Sequence, residues 1–230
     1  MNPSKTPPWN FWSGENGMTG LLIFSLLYLF AICALGDLTF GDFITGGLLS
    51  LVILAGVLTT FRERWVRFYA IVLALACLTV NWLARARPDE TLTLLKVGLN
   101  CIYLAFLLVA LTIQVFRAGP VTGHRIRGAV VIYVLMGGIW SLLYQFVALS
   151  LPGAFHFPES LAAGDADALK RMLTYFSFAT LTTTGFGDVT PALPLTRTLA
   201  MFEALTGQLY LVIILTRLVS LAIMNPVRKA

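Results

Sequence analysis

The stretch Thr182-Thr183-Thr184-Gly185-Phe186-Gly187-Asp188 places hydroxyls, two glycines and an acid inside an otherwise apolar part of the chain. Glycine adopts left-handed φ without a Cβ penalty, so two glycines one residue apart allow the backbone to turn its carbonyls inward. Carbonyl oxygens at close quarters replace the water around a monovalent cation. The stretch therefore predicts a loop that binds dehydrated cations through its backbone.

The rest of the chain has the composition of a membrane protein. Of its 230 residues, 58% are hydrophobic and only 12% are charged, and the mean hydropathy is +0.83. A helix needs about 20 apolar residues to cross a bilayer, and six segments qualify as spans. They cover residues 19–35, 43–61, 65–83, 92–116, 129–151 and 195–224. A seventh apolar segment, 169–181, is too short to cross, and we expect it to be re-entrant.

The basic residues predict the orientation of these spans, because cytoplasmic loops carry an excess of lysine and arginine. Three clusters lie on one side: after the second span, between the fourth and fifth, and at the end of the chain. They consist of Arg62, Arg64, Arg67, Arg117, Arg125, Arg127, Arg228 and Lys229. Both termini are therefore expected in the cytoplasm. The net charge of +5 reports topology here, and we expect no binding of nucleic acid.

The second half of the chain resembles the pore module of potassium channels, including two-pore-domain and bacterial ones. The resemblance consists of an outer helix, an aromatic-rich pore helix, the T-x-G-[YF]-G-D pattern of a selectivity filter, and an inner helix with Gly207 twenty positions beyond Gly187. It implies an all-α membrane protein with six transmembrane helices, a re-entrant pore helix and a filter. One chain carries one filter loop, so we expect a homotetramer with cyclic symmetry.

The resemblance also implies roles for individual residues in passive conduction, with potassium as the permeant ion and without cofactor or catalysis. The ion sites would be formed by Thr183, Thr184, Gly185 and Phe186, with Gly187 permitting the outer turn. The pair Tyr175 and Asp188 would brace the outer mouth by a hydrogen bond. Inner-helix positions would be Gly207 as hinge, Gln208, Leu211 and Leu215 facing the cavity, and Glu203 turned toward the pore helix. Arg217, further along, is expected to reach lipid headgroups.

Two positions depart from the usual filter of the family, which has valine or isoleucine in place of Thr184 and tyrosine in place of Phe186. Phe186 lacks a hydroxyl for the surrounding aromatic cuff, and Thr184 adds one facing the pore helix. Two-pore-domain channels also use phenylalanine, so we expect potassium selectivity, with a weakly selective monovalent cation channel as the alternative. A membrane enzyme, a lipid-handling protein and a non-conducting subunit are rivals from other classes.

We divide the chain into five regions. Residues 1–18 form an interfacial segment, 19–116 a four-helix transmembrane domain in the place of a voltage sensor, 117–128 a cytoplasmic linker, 129–224 the pore domain and 225–230 a tail. The fourth span has only Lys96 near its outer end, so gating charges are missing and steep voltage dependence is not expected.

The expected location is the cell membrane, specifically a bacterial inner membrane, with lipids and monovalent cations as partners. The gating stimulus stays open between tension, lipid, pH and constitutive opening. The external His156 is a candidate proton sensor, although a lone loop histidine is usually passive.

Overall fold

The structure, a computed structural model, describes residues 15–35, 41–60, 64–87, 89–116, 123–158 and 166–224. This part of the chain is almost entirely helical, as the sequence predicts. The helices are α1 Glu15–Leu35, α2 Gly41–Thr60, α3 Arg64–Ala86, α4 Glu90–Phe116, α5 Gly123–Ser150, α6 Ala166–Leu181 and α7 Pro194–Met224. Two short strands, β1 Phe155–His156 and β2 Thr190–Pro191, pair antiparallel.

Five helical stretches in the described ranges are long and apolar enough to cross a membrane, which makes this a multi-pass membrane protein. They are Gly17–Leu35, Trp65–Ala86, Glu90–Phe116, Arg125–Ser150 and Pro194–Ile214. Helix α2 contributes a shorter apolar stretch, Phe43–Thr59, so the sixth span stays a prediction. Helix α6 has 16 residues. At about 24 Å it is shorter than the hydrocarbon core of about 30 Å.

Helix α5 begins at Gly123, so residues 123–128 of the predicted linker are helical. Close packing explains this difference: a Cβ added at Gly128 would lie 2.6 Å from the side chain of Val115 in α4. Such a tertiary contact overrides the low helix propensity of glycine. The predicted interfacial segment up to residue 14, linker residues 117–122 and the tail lie outside the described residues, as do Arg62, Arg117, Arg228 and Lys229.

The larger hydrophobic core is shared by the first five helices. Helices α1 and α4 both pack against α5, and Leu21, Leu111 and Val131, one from each of them, are fully buried. The Tyr103 hydroxyl in α4 donates a 2.6 Å hydrogen bond to the carbonyl of Ile53 in α2. Of the four predicted outer spans, α1 and α4 therefore pack directly on the outer helix of the predicted pore domain, while α2 packs mainly on α1 and α3 on α4.

A second, smaller core is largely aromatic and packs the chain before α6 against α6 itself. The rings of Phe155 and Tyr144 meet Phe176 of α6 edge to face, with centroids 5.4 and 5.1 Å away. The carbonyl of Ala154 accepts hydrogen bonds from the Ala192 amide and the Thr196 hydroxyl, both 3.0 Å long. The chain after the candidate loop is thus tied to the chain that precedes α6.

Candidate ion-binding loop

The loop after α6 begins by folding its amides back onto the end of that helix. Four consecutive N–H groups, from residues 182 to 185, donate to carbonyls in the last turn of α6. This satisfies carbonyls that a helix C-terminus leaves without intrahelical partners. The pairs are Thr182 to Phe178 at 3.1 Å, Thr183 to Thr180 at 2.9 Å, and Thr184 and Gly185 to Ala179 at 2.8 and 3.2 Å.

The direction of those amides fixes the direction of the loop carbonyls. In a planar trans peptide the N–H of one residue points opposite to the carbonyl of the residue before it, and no described peptide bond is cis. The N–H groups of Thr183, Thr184 and Gly185 point toward α6. The carbonyl oxygens of Thr182, Thr183 and Thr184 therefore all point away from α6, whereas in a β-strand successive carbonyls alternate.

Backbone conformations of alternating hand produce this row. Left-handed φ occurs at Thr183 with 59°, Gly185 with 56° and Gly187 with 80°, and not at the residues between them. Peptide groups that alternate in this way line up their N–H groups on one side. Among the described residues Thr183 is the one non-glycine with positive φ, a strained conformation for a β-branched side chain.

Hydrogen bonds to its side chain hold Thr183 in that conformation. The Thr183 hydroxyl lies 2.7 Å from the Thr182 carbonyl, to which it donates. The Gln208 amide of α7 donates to the same hydroxyl over 2.9 Å. Strained backbone persists where surrounding groups over-determine it. The structure thus brings Gln208 to the inner end of the loop.

The loop faces open space in a single chain. Residues 182–188 are all exposed, and the ring of Phe186 is 68% exposed. Helix α7 below is also largely uncovered, because only 11% of its apolar stretch is buried against 44% of that of α5. Carbonyls at membrane depth are tolerated where protein surrounds them or where they line a polar pathway. This face therefore requires either water or further protein.

The residues expected to support the outer end lie together. The ring of Phe186 stacks on Tyr175 of α6, with centroids 5.8 Å apart and planes 15° apart. Desolvation, a hydrogen bond to Asp188 and the charge of that carboxylate raise the pKa of Tyr175. The Asp188 carboxylate also accepts a 3.0 Å bond from the Val189 amide. Stacking thus holds Phe186, whose side chain has no hydroxyl.

Glu203 lies behind the loop, on the side of α7 that faces α6. It is fully buried. One carboxyl oxygen lies 2.6 Å from the Tyr144 hydroxyl of α5, and the other lies 2.6 Å from the Ser177 hydroxyl of α6. One side chain therefore joins the three helices around the loop.

The remaining inner-helix candidates occupy different surroundings. Helix α7 runs without a break past Gly207, where an added Cβ would overlap the carbonyl oxygen of Leu181 at the end of α6. The glycine is therefore required for close packing, and hinge motion stays a prediction. Leu211 is exposed in the single chain, and the side chain of Leu215 lies outside the described residues. His156 is exposed in β1, opposite Thr190.

Sequence reasoning missed the partner of Arg217. Its guanidinium donates to the carbonyl of Phe116, the last residue of α4, and lies 4.8 Å from the centroid of the Phe116 ring. A cation at a helix C-terminus is favourable because of the helix dipole. The structure thus gives Arg217 a partner within the chain, and the lipid contact stays a prediction. The basic side chain near the end of a span gave no indication of a partner 101 residues away.

Replacing Gly207 by alanine is expected to destabilise the protein by about 1–3 kcal/mol, since the new methyl must push α7 away from α6. Thermal unfolding of the purified protein measures the loss. Gly47→Ala is the matched control, because a Cβ at Gly47, also helical, meets nothing within 4 Å. Equal unfolding temperatures for the two variants would contradict the packing role of Gly207.

One comparison with known proteins bears on this site. Residues 165–223 match a protein-family model described as "Ion channel", while no curated protein matches the chain. The matched segment is about a quarter of the chain and contains α6, the loop and nearly all of α7. The match supports a channel function for the region in which the aligned carbonyls lie.

Proposed function

We propose that four copies of this chain form a potassium-selective channel. The observation that carries the proposal is the row of carbonyls from Thr182 to Thr184, which point away from α6 at its C-terminal end. The helix dipole makes this end partly negative, and rings of carbonyl oxygens replace the hydration shell of potassium. The row and the dipole therefore favour the same ligand, a dehydrated monovalent cation.

Assembly into a ring follows from the exposure of the loop. One chain supplies one row of carbonyls, which is too few oxygens to surround an ion. Each polar group left facing lipid would cost several kcal/mol. Symmetric association around the loop removes this cost, because the carbonyls then line an ion pathway. It also covers the exposed face of α7.

Conduction in this proposal is passive. Thr183 contributes a carbonyl and a hydroxyl at the inner end, where Gln208 holds the hydroxyl. Thr184, Gly185 and Phe186 contribute the other carbonyls, so ions bind at several successive sites. Multiple sites of moderate affinity allow one ion to displace the next.

The decisive experiment is a reversal-potential measurement on purified protein in liposomes under opposed potassium and sodium gradients. A potential near the potassium equilibrium value supports the proposal. A value near zero supports the weakly selective channel, which is favoured by one observation: Phe186 is held by stacking on Tyr175, without a side-chain hydroxyl. Absence of flux in protein shown by native mass spectrometry to be tetrameric would contradict both.

Asp188→Ala is expected to shorten the open times of the channel several-fold. The carboxylate accepts a hydrogen bond from the Val189 amide, and its hydrogen bond and charge both affect the Tyr175 hydroxyl. A charge-assisted bond of this kind contributes about 1.5–3 kcal/mol. Single-channel recording at constant potassium measures the duration. Glu90→Ala, which removes an exposed acid in the first turn of α4, is the control for loss of an acid. Unchanged durations in Asp188→Ala would contradict a supporting role.

A further inference from the structure

A cavity of about 380 Å³ lies among the first six helices, away from the candidate loop. It is located at the end of the bundle where α3 and α5 end and α4 and α6 begin. Its volume falls within the range of about 300–1,000 Å³ that is usual for ligand pockets. The cavity therefore has room for a small ligand or a single acyl chain.

The chemistry of the wall changes in the same order along two different helices. At four-residue spacing the lining includes Lys96, Asn100 and Leu104 along α4, and Lys170, Thr174 and Phe178 along α6. Each step is four residues, or about 6 Å of helix. Both helices thus present a cation near the end of the bundle, a polar side chain one turn deeper and an apolar side chain below it.

Other helices extend this gradient. Arg85 at the end of α3 is a third cation in the lining, whereas Asp167 is the acidic residue there. Positive charge is therefore in excess. In the middle layer Asn81 and Asn100 exchange amide hydrogen bonds of 3.0 and 3.1 Å. The deep end includes Val134 of α5. A ligand that matches the wall has an anionic head and an apolar tail.

One wall of the cavity leads directly to the candidate filter. Lys170, Thr174 and Phe178 form a stripe at four-residue spacing on α6, and Thr182 is the next member of that series. The Thr182 hydroxyl donates to the carbonyl of Phe178 over 2.7 Å and lies 2.9 Å from the hydroxyl of Thr184. A ligand that presses on Phe178 therefore acts on a helix face that ends in the loop.

We propose that this cavity binds a single-chain anionic amphiphile, and that the ligand stabilises the loop through α6. Its carboxylate or phosphate head lies beside Arg85, Lys96 and Lys170, and its acyl chain lies against Leu104 and Phe178. The binding step is independent of the proposed function, whereas the effect on ion flux rests on it.

Binding is tested through Trp82, which lines the cavity. The probes are dibromostearate, a brominated lysophosphatidate and the uncharged methyl ester of dibromostearate, each added to purified full-length protein. Saturable quenching of tryptophan fluorescence by the two anions, with far weaker quenching by the ester, is the expected result. The ratio of the two anions identifies the preferred head group, and Trp82→Phe must remove the saturable component.

Two further variants examine the two ends of the cavity. Lys96→Gln is expected to weaken binding about tenfold, the loss of one charge-assisted hydrogen bond. Gly138→Leu fills the apolar end beside Leu104, to which an added Cβ at Gly138 would come within 3.4 Å, and it is expected to abolish quenching. Gly98→Leu is the matched control, since a Cβ there meets nothing within 4 Å and the residue does not line the cavity.

Several results would overturn the proposal. The first is equal quenching by the ester and the anions, and the second is competition by inorganic phosphate alone. The third is unchanged quenching in Gly138→Leu, provided that this variant unfolds at the same temperature as Gly98→Leu. The effect on the loop is measured as the rate at which potassium flux through the protein in liposomes declines with time. Palmitate is expected to slow this decline by about twofold or more in the wild type and not in Gly138→Leu. Saturable binding without any flux would refute the channel and leave the site standing. Flux without saturable quenching would refute the binding site and leave the proposed channel function intact.

Discussion

Replacing Gly185 by alanine is expected to lower potassium flux through reconstituted protein by about two orders of magnitude or more. The space around Gly185 is open, because an added Cβ would meet no atom within 4 Å. The effect comes instead from the backbone, since φ is 56° and an L residue pays about 1–2 kcal/mol for a left-handed conformation. In the proposed tetramer, even about 1 kcal/mol in each of four copies shifts the balance between aligned and rotated loops by nearly a thousandfold.

Gly153→Ala is the matched control for this prediction. Gly153 lies in the exposed turn after α5, has φ of 77°, and also has no atom within 4 Å of an added Cβ. Alanine there carries a comparable backbone penalty without touching the candidate loop, so near-normal flux is expected. Flux lost equally in both variants would indicate a folding defect. Normal flux in Gly185→Ala would contradict the role of the aligned carbonyls.

The sequence predicted the helices because their signal is local. Long apolar runs fix where α3, α4 and α7 lie, and the predicted short segment 169–181 falls within α6. The two glycines of the loop likewise indicate positive φ at positions 185 and 187, and the structure has positive φ at both. These features depend on neighbouring residues and on the bilayer thickness, so composition and spacing are sufficient.

The features that the sequence missed depend on contacts between distant residues. Nothing local predicts positive φ at the β-branched Thr183, which is held partly by Gln208, 25 residues away. The bond from Arg217 to Phe116 spans 101 residues. The cavity requires six helices to be packed before its charge gradient exists. Such features follow from tertiary packing, which overrides local preference.

The geometry around Glu203 indicates that its carboxyl group is protonated. The Ser177 hydroxyl has one proton, yet it lies 2.8 Å from the Gly137 carbonyl and 2.6 Å from a Glu203 oxygen. A carbonyl can only accept, so an ionised Glu203 would leave two acceptors competing for that proton. A protonated carboxyl donates to Ser177, which then donates to Gly137, and Tyr144 donates to the other oxygen. In the neutral form both short contacts of the Ser177 hydroxyl are hydrogen bonds, whereas in the ionised form one of them has no proton.

Glu203→Gln is therefore expected to leave the unfolding temperature nearly unchanged, whereas Glu203→Ala is expected to cost about 3–5 kcal/mol. Glutamine repeats the same donor and acceptor directions without a charge. Alanine leaves a cavity and removes the hydrogen-bond partner of the buried Tyr144 hydroxyl. Thermal unfolding of the purified assembly measures both changes, and infrared spectroscopy at neutral pH should show a protonated carboxyl band that Glu203→Gln removes. If Glu203→Gln unfolds as early as Glu203→Ala, and the band is missing in the wild type, the group is a carboxylate whose charge the three helices require.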